Sequence, residues 1–232
     1  MVVPRISVII PAHNEENYLR STLHGLKQQT FQNFEAIVVA NGCTDKTEEI
    51  VGKRINDRLQ LLKMPKANVS RARNHGASKA QGKILVFLDA DTILDEDALQ
   101  KINSVFNENC SVATTKVKPE PSSPAFKLHS FIKNIANKTK LYQGWVGGVL
   151  ICRKRHFDAV NGYDHQREIR EQKNLILKLL PYGRYALIDT YATTSMRRFQ
   201  QWGLVRSAGF WLKQLVLDHF GDITKSKYEK VR

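Results

Sequence analysis

Cysteine is scarce in this chain of 232 residues, and its three copies, Cys43, Cys110 and Cys152, stand far apart. They show no Cys-x-x-Cys spacing, so neither a disulfide framework nor a zinc site is expected, and a reducing cytosol is the default compartment. Long apolar runs are missing too: no stretch approaches the roughly 18 residues of a membrane span. The opening Met1-Val2-Val3-Pro4-Arg5 lacks the layout of a secretory signal, and Ile6 to Ile10 is too short for the apolar part of one. The chain has no internal repeat, no low-complexity tract, no helix-turn-helix signal and no aromatic-studded RNA-reading motif. These absences argue against a solenoid, an integral membrane protein and a nucleic-acid partner.

Acidic residues thin out along the chain. Residues 1–110 hold 14 Lys and Arg against 13 Asp and Glu, whereas residues 111–232 hold 22 against 9. Nearly all of the net charge of +14 therefore lies in the second half. Charge alone would suit phospholipid, nucleic acid or a phosphorylated substrate. The length fits one domain able to bury about 70–75% of its unfolded surface.

The stretch Ile84-Leu85-Val86-Phe87-Leu88-Asp89-Ala90-Asp91-Thr92 concentrates the chemistry. Five consecutive apolar residues read as a strand buried on both faces. Two carboxylates follow where that strand surfaces, and open α/β sheets bind ligands beyond the carboxyl ends of their strands. Asp89 and Asp91 offer hard oxygen ligands for Mg²⁺ or Mn²⁺, with the remaining positions left for phosphates. Alternatively, they only introduce the helix that Asp95-Glu96-Asp97 announces, although Asp95 can cap that helix alone.

Upstream, strand and helix signals alternate. Ile6 to Ile10 is a strand ending at Pro11, and Asn14 is placed to cap a helix through Leu19, Leu23 and Leu26. Phe34 to Val39 is a second strand broken by Asn41-Gly42, and Thr44 or Asp45 starts the next helix. Leu59 to Leu62 is a short strand, and Ser70 to Ala80 is a helix. This alternation predicts a parallel sheet covered on both faces. Downstream, Val112 to Val117 reads as an edge or mixed-sheet strand, and Pro119, Pro121 and Pro124 as a loop. Phe126 to Leu141 is a basic helix with a partial apolar stripe, expected to pack on the core. Gly147-Gly148 opens a strand, Glu168 to Leu180 is a helix and Tyr185 to Ile188 is the last strand.

Five short motifs stand in order: Ser7-Val8-Ile9-Ile10-Pro11-Ala12-His13-Asn14-Glu15-Glu16, Val38-Val39-Ala40-Asn41-Gly42-Cys43-Thr44-Asp45, Ala72-Arg73-Asn74-His75-Gly76, Leu88-Asp89-Ala90-Asp91 and Phe157-Asp158-Ala159-Val160-Asn161-Gly162-Tyr163-Asp164. Together, over roughly residues 5–205, they resemble the family 2 glycosyltransferases, which have the GT-A nucleotide-sugar-binding fold. The resemblance implies a three-layer α/β/α architecture with a mostly parallel, Rossmann-like sheet and a mixed acceptor-side region. It divides the chain into a single domain, residues 1–195, and a basic, partly amphipathic tail, residues 196–232. Within the domain, residues 1–115 form the nucleotide-sugar half and 116–195 the acceptor half.

The same resemblance assigns roles. Pro11, Ala12, Glu15, Asn41 and Arg73 would line the nucleotide slot. Asp91 would bind the metal directly, and Asp89 would contact ribose or orient the ligand sphere. Gly147, Gly148, Arg197 and Arg198 would face the acceptor or phosphate, the two arginines through the run Thr194-Ser195-Met196-Arg197-Arg198-Phe199. Two departures stand out. Asn41 replaces a frequent Asp, which leaves the base open between uracil and guanine. The family's Glu-Asp-x-Asp-Leu run falls on Glu171-Gln172-Lys173-Asn174-Leu175, so the general base is Glu171 or Glu168, unless the acceptor arrives already ionised. The expected function is an inverting, non-processive hexosyltransferase acting on a UDP- or GDP-linked sugar and a lipid-linked or anionic acceptor. Its place would be the cytoplasm, peripheral on an anionic inner membrane face. The rival expectation is a catalytically inactive protein of the same fold that binds nucleotide sugar or a partner.

Overall fold

The computed structural model describes residues 3–106, 109–139, 146–167 and 169–220. In chain order the strands are β1 (Ile6–Ala12), β2 (Phe34–Asn41), β3 (Leu59–Met64), β4 (Ile84–Leu88), β5 (Thr92–Leu94), β6 (Cys110–Glu120), β7 (Val149–Arg153) and β8 (Arg184–Ser195). The helices are α1 (Leu19–Lys27), α2 (Thr47–Gly52), α3 (Val69–Lys79), α4 (Ala98–Val105), α5 (Pro124–Lys138), α6 (Lys154–Ala159), α7 (Glu171–Leu179) and α8 (Arg197–Phe220). All eight strands join one sheet in the order β3-β2-β1-β4-β7-β6-β8-β5. The first four are mutually parallel. Antiparallel β7 then separates them from the parallel pair β6 and β8, and short β5 runs antiparallel at the far edge.

Successive strand residues point to opposite faces, and the core divides accordingly. Val8 and Ile10 of β1 join Leu19, Leu23 and Leu26 of α1 and Leu99 and Ile102 of α4 on one face. Ile9 joins Ala72 and Ala77 of α3, Phe157 of α6 and Leu175, Ile176 and Leu179 of α7 on the other. Phe87 is 1% exposed and packs against the Phe157 and Tyr163 rings, with centroids 5.2 and 5.1 Å away. Burying a side chain of that size contributes about 1.5–3 kcal/mol. This packing fixes the strand end that carries Asp89 and Asp91.

Several boundaries differ from expectation. Asn14 does not cap α1: it adopts φ +54° and exchanges hydrogen bonds with Thr44 instead, so the helix starts only at Leu19. Asp95 offers its carbonyl to the amide of Ala98 and its carboxylate to Lys118, rather than a side-chain cap. Thr92–Leu94 is a strand too short to show a sequence period. Of the two expectations for β6, the mixed-sheet strand holds and the edge strand does not, because β7 pairs antiparallel with Val112 and Ala113 on one side and β8 runs parallel along the other. It also continues through Pro119, beyond its pairing with β7, where a proline with no N–H costs no ladder bond on that side. α7 begins at Glu171, after Arg170 turns at φ +58°; Glu168 and Leu141 lie outside the described residues. Within α5, Phe126 is buried as expected and the helix is fastened to β6, but the rest of the apolar stripe does not pack inward. Its apolar residues Leu128, Phe131, Ile132 and Ile135 are exposed, Phe131 by 61%.

Candidate active site

The parallel strands β1, β2 and β4 end side by side, and that common end gathers the charged residues. Pro11 and Ala12 close β1 and Asn41 closes β2, all inside the sheet. The Asn41 side-chain oxygen accepts the amide of Asn68 at 2.8 Å, and the Asn68 side chain caps α3 through the amide of Arg71. Asn41 thereby fixes the start of the helix that carries Arg73.

Arg73 is 3% exposed and ties two distant acids together. Its Nη2 donates to Asp89 Oδ1 at 2.9 Å, and its Nη1 donates to Glu171 Oε1 at 2.8 Å. The Tyr163 ring lies 5.2 Å beneath the guanidinium, so a planar cation meets two carboxylates and one π face. Gly148 completes this corner. Its carbonyl accepts the amide of Asp89 at 2.8 Å, and its φ of +84° suits glycine.

A second cluster forms around Asp91. Arg197, at the start of α8, donates to both Glu15 oxygens at 2.6 and 2.7 Å and approaches Asp91 Oδ2 at 3.3 Å. Burial pushes the Asp91 carboxyl up to about 7, and Asp89 and Glu15 add to the rise against the opposing pull of Arg197. The two adjacent arginines diverge, because neighbours on a helix point about 100° apart. Arg198 lies over the Trp202 ring while Arg197 takes the acids.

The expected residues thus fall into two linked groups: Arg73, Asp89 and Glu171, and Asp91, Glu15 and Arg197. Gln172 and Asn174, which stand where the resemblance expects acids, keep buried side-chain oxygens with no hydrogen-bond partner. Sequence reasoning missed His13, whose two ring nitrogens are buried without partners at the end of β1. It also missed Lys133 on α5, which burial pushes down to about 8 against the pull of Asp89. One signal for Lys133 was available: it shares a helical stripe with Phe126, Ser130 and Asn137, opposite the apolar residues.

Among the described residues no group of three or more His, Cys, Asp or Glu side chains forms a metal cage. Mg²⁺ does not need one, since it typically takes one or two carboxylates and keeps waters or phosphates in its other positions. The crowding of Asp91 by Asp89 and Glu15 leaves negative charge that a hard cation would neutralise. The donor set fits such an ion.

Comparison with known proteins identifies the fold and the family. A glycosyltransferase of Haemophilus influenzae described as uncharacterized is 37% identical over 117 residues, 49% of this chain and 47% of that protein. The chain spans less than half the length of the first relatives it matches in sequence. Two solved structures share the fold. The mannosyltransferase PcManGT of Pyrobaculum calidifontis, in complex with GDP-Man and Mn²⁺, superposes with a TM-score of 0.74 at 18% identity over 99% of this chain and 67% of that one. Residues 1–349 of S. aureus TarS with UDP-GlcNAc give a TM-score of 0.67 at 21% identity, covering 83% and 59%. The fold shared with these structures is that of the GT-A glycosyltransferases. Residues 7–157 match the family model "Glycosyl transferase family 2", and with more than half of its length inside that match, the chain belongs to glycosyl transferase family 2.

Proposed function

We propose that the protein is an inverting glycosyltransferase that moves one sugar from a UDP- or GDP-linked donor to a lipid-linked or otherwise anionic acceptor. The observation that carries this reading is the Arg73 bridge, which brings Asp89 and Glu171 to one guanidinium, with Asp91, two residues after Asp89, approached by Arg197 at 3.3 Å. The catalytic domain runs through residue 195, with residues 1–115 serving the nucleotide sugar and 116–195 the acceptor. Pro11, Ala12, Asn41 and Arg73 bound the nucleotide slot, and the amide of Asn41 reads the base. PcManGT with GDP-Man and TarS with UDP-GlcNAc support a nucleotide-sugar donor without choosing between the bases.

Asp91, with Asp89 beside it, would hold Mg²⁺ or Mn²⁺, which supplies charge neutralisation for the departing nucleoside diphosphate. The protein's own residues do the rest. Arg73 orients Asp89. Glu171 is the carboxylate that takes the acceptor proton, because the amides Gln172 and Asn174 cannot. Arg197 holds Glu15 and Asp91 at a fixed separation. Gly147 and Gly148 keep the floor of the acceptor side free of side chains.

The acceptor reading draws on surface chemistry. No helix among the described residues is long and apolar enough to cross a membrane. The outer face of α5 nevertheless exposes Leu128, Phe131, Ile132 and Ile135, with Lys127 and Lys138 at its margins and no acidic residue in the helix. A basic, apolar face suits an anionic bilayer at the cytoplasmic side.

The test is a panel of UDP- and GDP-sugars with Mn²⁺ and membrane extract, read by transfer and by nucleotide release. Metal-dependent binding of UDP or GDP with transfer of one sugar is expected. Glu171→Gln should lose kcat while nucleotide affinity holds. Binding of neither nucleotide would overturn the reading. Binding without turnover on any donor would favour a non-catalytic sugar-nucleotide binder, the role that Gln172 and Asn174 suggest.

A further inference from the structure

α5 turns one lysine inward. Its inner stripe runs Phe126, Ser130, Lys133 and Asn137, and its other three members are buried. Two fastenings hold this face. The Asn134 side chain accepts the amide of Val117 at 2.8 Å and donates to its carbonyl at 3.1 Å, and the Tyr185 hydroxyl donates to Asn137 at 2.8 Å. Val117 in turn lies against Gly147, where an added Cβ would come within 2.1 Å of it, and neighbouring Gly148 holds the amide of Asp89. Lys133 therefore sits next to the fastening that connects α5 to the Asp89 turn.

The cations of the site differ in how they are used. Arg73 is taken by Asp89 and Glu171, and Arg197 by Glu15 and Asp91. Lys133, partly buried on the inner stripe of α5 beside the Asn134–Val117 fastening, has no hydrogen bond or ion pair among the described residues. One turn earlier, Ser130 is 3% exposed and its hydroxyl is also unpartnered. A half-buried ammonium with no anion of its own is unfavourable unless a ligand brings one.

We propose that Lys133 is a phosphate ligand of this site, its ammonium donating to a non-bridging phosphate oxygen of a substrate. The phosphate belongs either to the nucleoside diphosphate or to the acceptor. The assignment rests on the nucleotide-sugar reading above. An ammonium is a compact charge with three donors that adapts to a phosphate in either place. Beside a departing diphosphate it stabilises charge as that charge develops.

Calorimetric titration separates the possibilities. The probes are UDP, GDP, the nucleosides uridine and guanosine, and a short-chain prenyl phosphate, each with Mn²⁺. They are applied to the wild type, Lys133→Met and Lys133→Arg. A diphosphate that binds Lys133→Met about tenfold or more weakly, with nucleoside affinity unchanged and Lys133→Arg near wild type, places the lysine on the donor. The same loss for prenyl phosphate alone places it on the acceptor. Unchanged affinity for both phosphates overturns the assignment, and so does an equal loss of nucleoside affinity, which marks a structural role. A wild type that binds none of the phosphates overturns the assignment together with the reading beneath it. If Lys133→Met melts below the wild type, Lys133→Gln replaces it in the same titrations.

Discussion

Arg73 and Glu171 meet at 2.8 Å inside the protein, one from the helix after β3 and the other from the first turn of α7. The same guanidinium holds Asp89 at 2.9 Å, so the end of β4 and the first turn of α7 are fixed by one cation. Removing that cation leaves two acids facing each other. Arg73→Met should cost about 3–5 kcal/mol in urea unfolding, the range for breaking a buried pair from one side. In a double-mutant cycle with Glu171→Gln, a coupling of at least about 1 kcal/mol is expected. Strict additivity would show that the bridge does not couple the two residues.

Asp91 should make the ligand-free protein lose stability as pH rises. Its carboxyl moves from the ordinary 3.8 up to about 7, chiefly through burial, so the folded state binds the proton more tightly than the unfolded one. The contribution is complete below the unfolded value and is lost through pH 7, by about 1–4 kcal/mol. Asp91→Asn removes this dependence, so it should be more stable than the wild type at pH 8 but not at pH 3.5. Transfer by the same variant should fall by about 10²-fold or more, the scale of losing one major electrostatic stabiliser. Parallel stability curves for the two proteins from pH 4 to 8 would remove the effect from Asp91.

Asn41→Asp should change nucleotide preference more than stability. A carboxylate can still accept the amide of Asn68, so the start of α3 is kept, and a change within about 1 kcal/mol is expected. The donor that an amide offers to a base edge is lost. Titration with UDP and GDP should show a changed ratio of affinities. An unchanged ratio would place the base away from β2.

Gly148→Ala should be among the most damaging single-methyl additions in the chain. An added Cβ would lie 2.4 Å from Thr92 Oγ1, and φ is +84°. A loss of about 1–3 kcal/mol from overpacking is expected, with the amide of Asp89 displaced along with the carbonyl it donates to. Thermal melting measures the loss, and nucleotide titration should show the site weakened in step. A variant that melts like the wild type would show that the turn has room to give.

The outer face of α5 should carry vesicle binding. Phe131 and Leu128 are 61% and 59% exposed, so Phe131→Ser with Leu128→Ser should leave melting nearly unchanged. Flotation with anionic vesicles should fall, and added salt should weaken the wild type because surface charge is screened over about 8 Å at physiological ionic strength. Equal recovery on neutral and anionic vesicles, or none on either, would sink this assignment.

Much of the first half was legible because its signals are local. Five apolar residues ending in Asp89 can only be a buried strand, and β1 to β4 follow the expected alternation. The later elements depend on partners that the sequence does not display. Pro119 looks like a loop residue until Asn134 takes over the hydrogen bonds of Val117. α5 looks like a core helix until its polar stripe is seen to face inward. In the candidate site, the motifs single out Asp89, Asp91, Arg73 and Glu171, and the structure brings them together through Arg73 and Arg197. That Arg197 would reach Glu15 while Arg198 would not depends on where α8 begins, which no local pattern fixes.

The strand order has a consequence for how the chain is made. β4 and β5 are almost adjacent in sequence, yet β7, β6 and β8 lie between them in the sheet. A nascent chain that has emerged only through α4 presents β4 with one apolar edge open, and its partner on that side, β7, has not yet been synthesised. Glu15 and Asp91 likewise wait for Arg197, their shared counter-ion, until more than a hundred residues after Asp91 have been made. Assembly is therefore dominated by late, long-range pairing, the regime in which folding is slow and exposed edges invite association. A ribosome stalled before β7 would release a sheet with β1 to β4 in place, Asp89 already held by Arg73, and Glu15 and Asp91 still without Arg197.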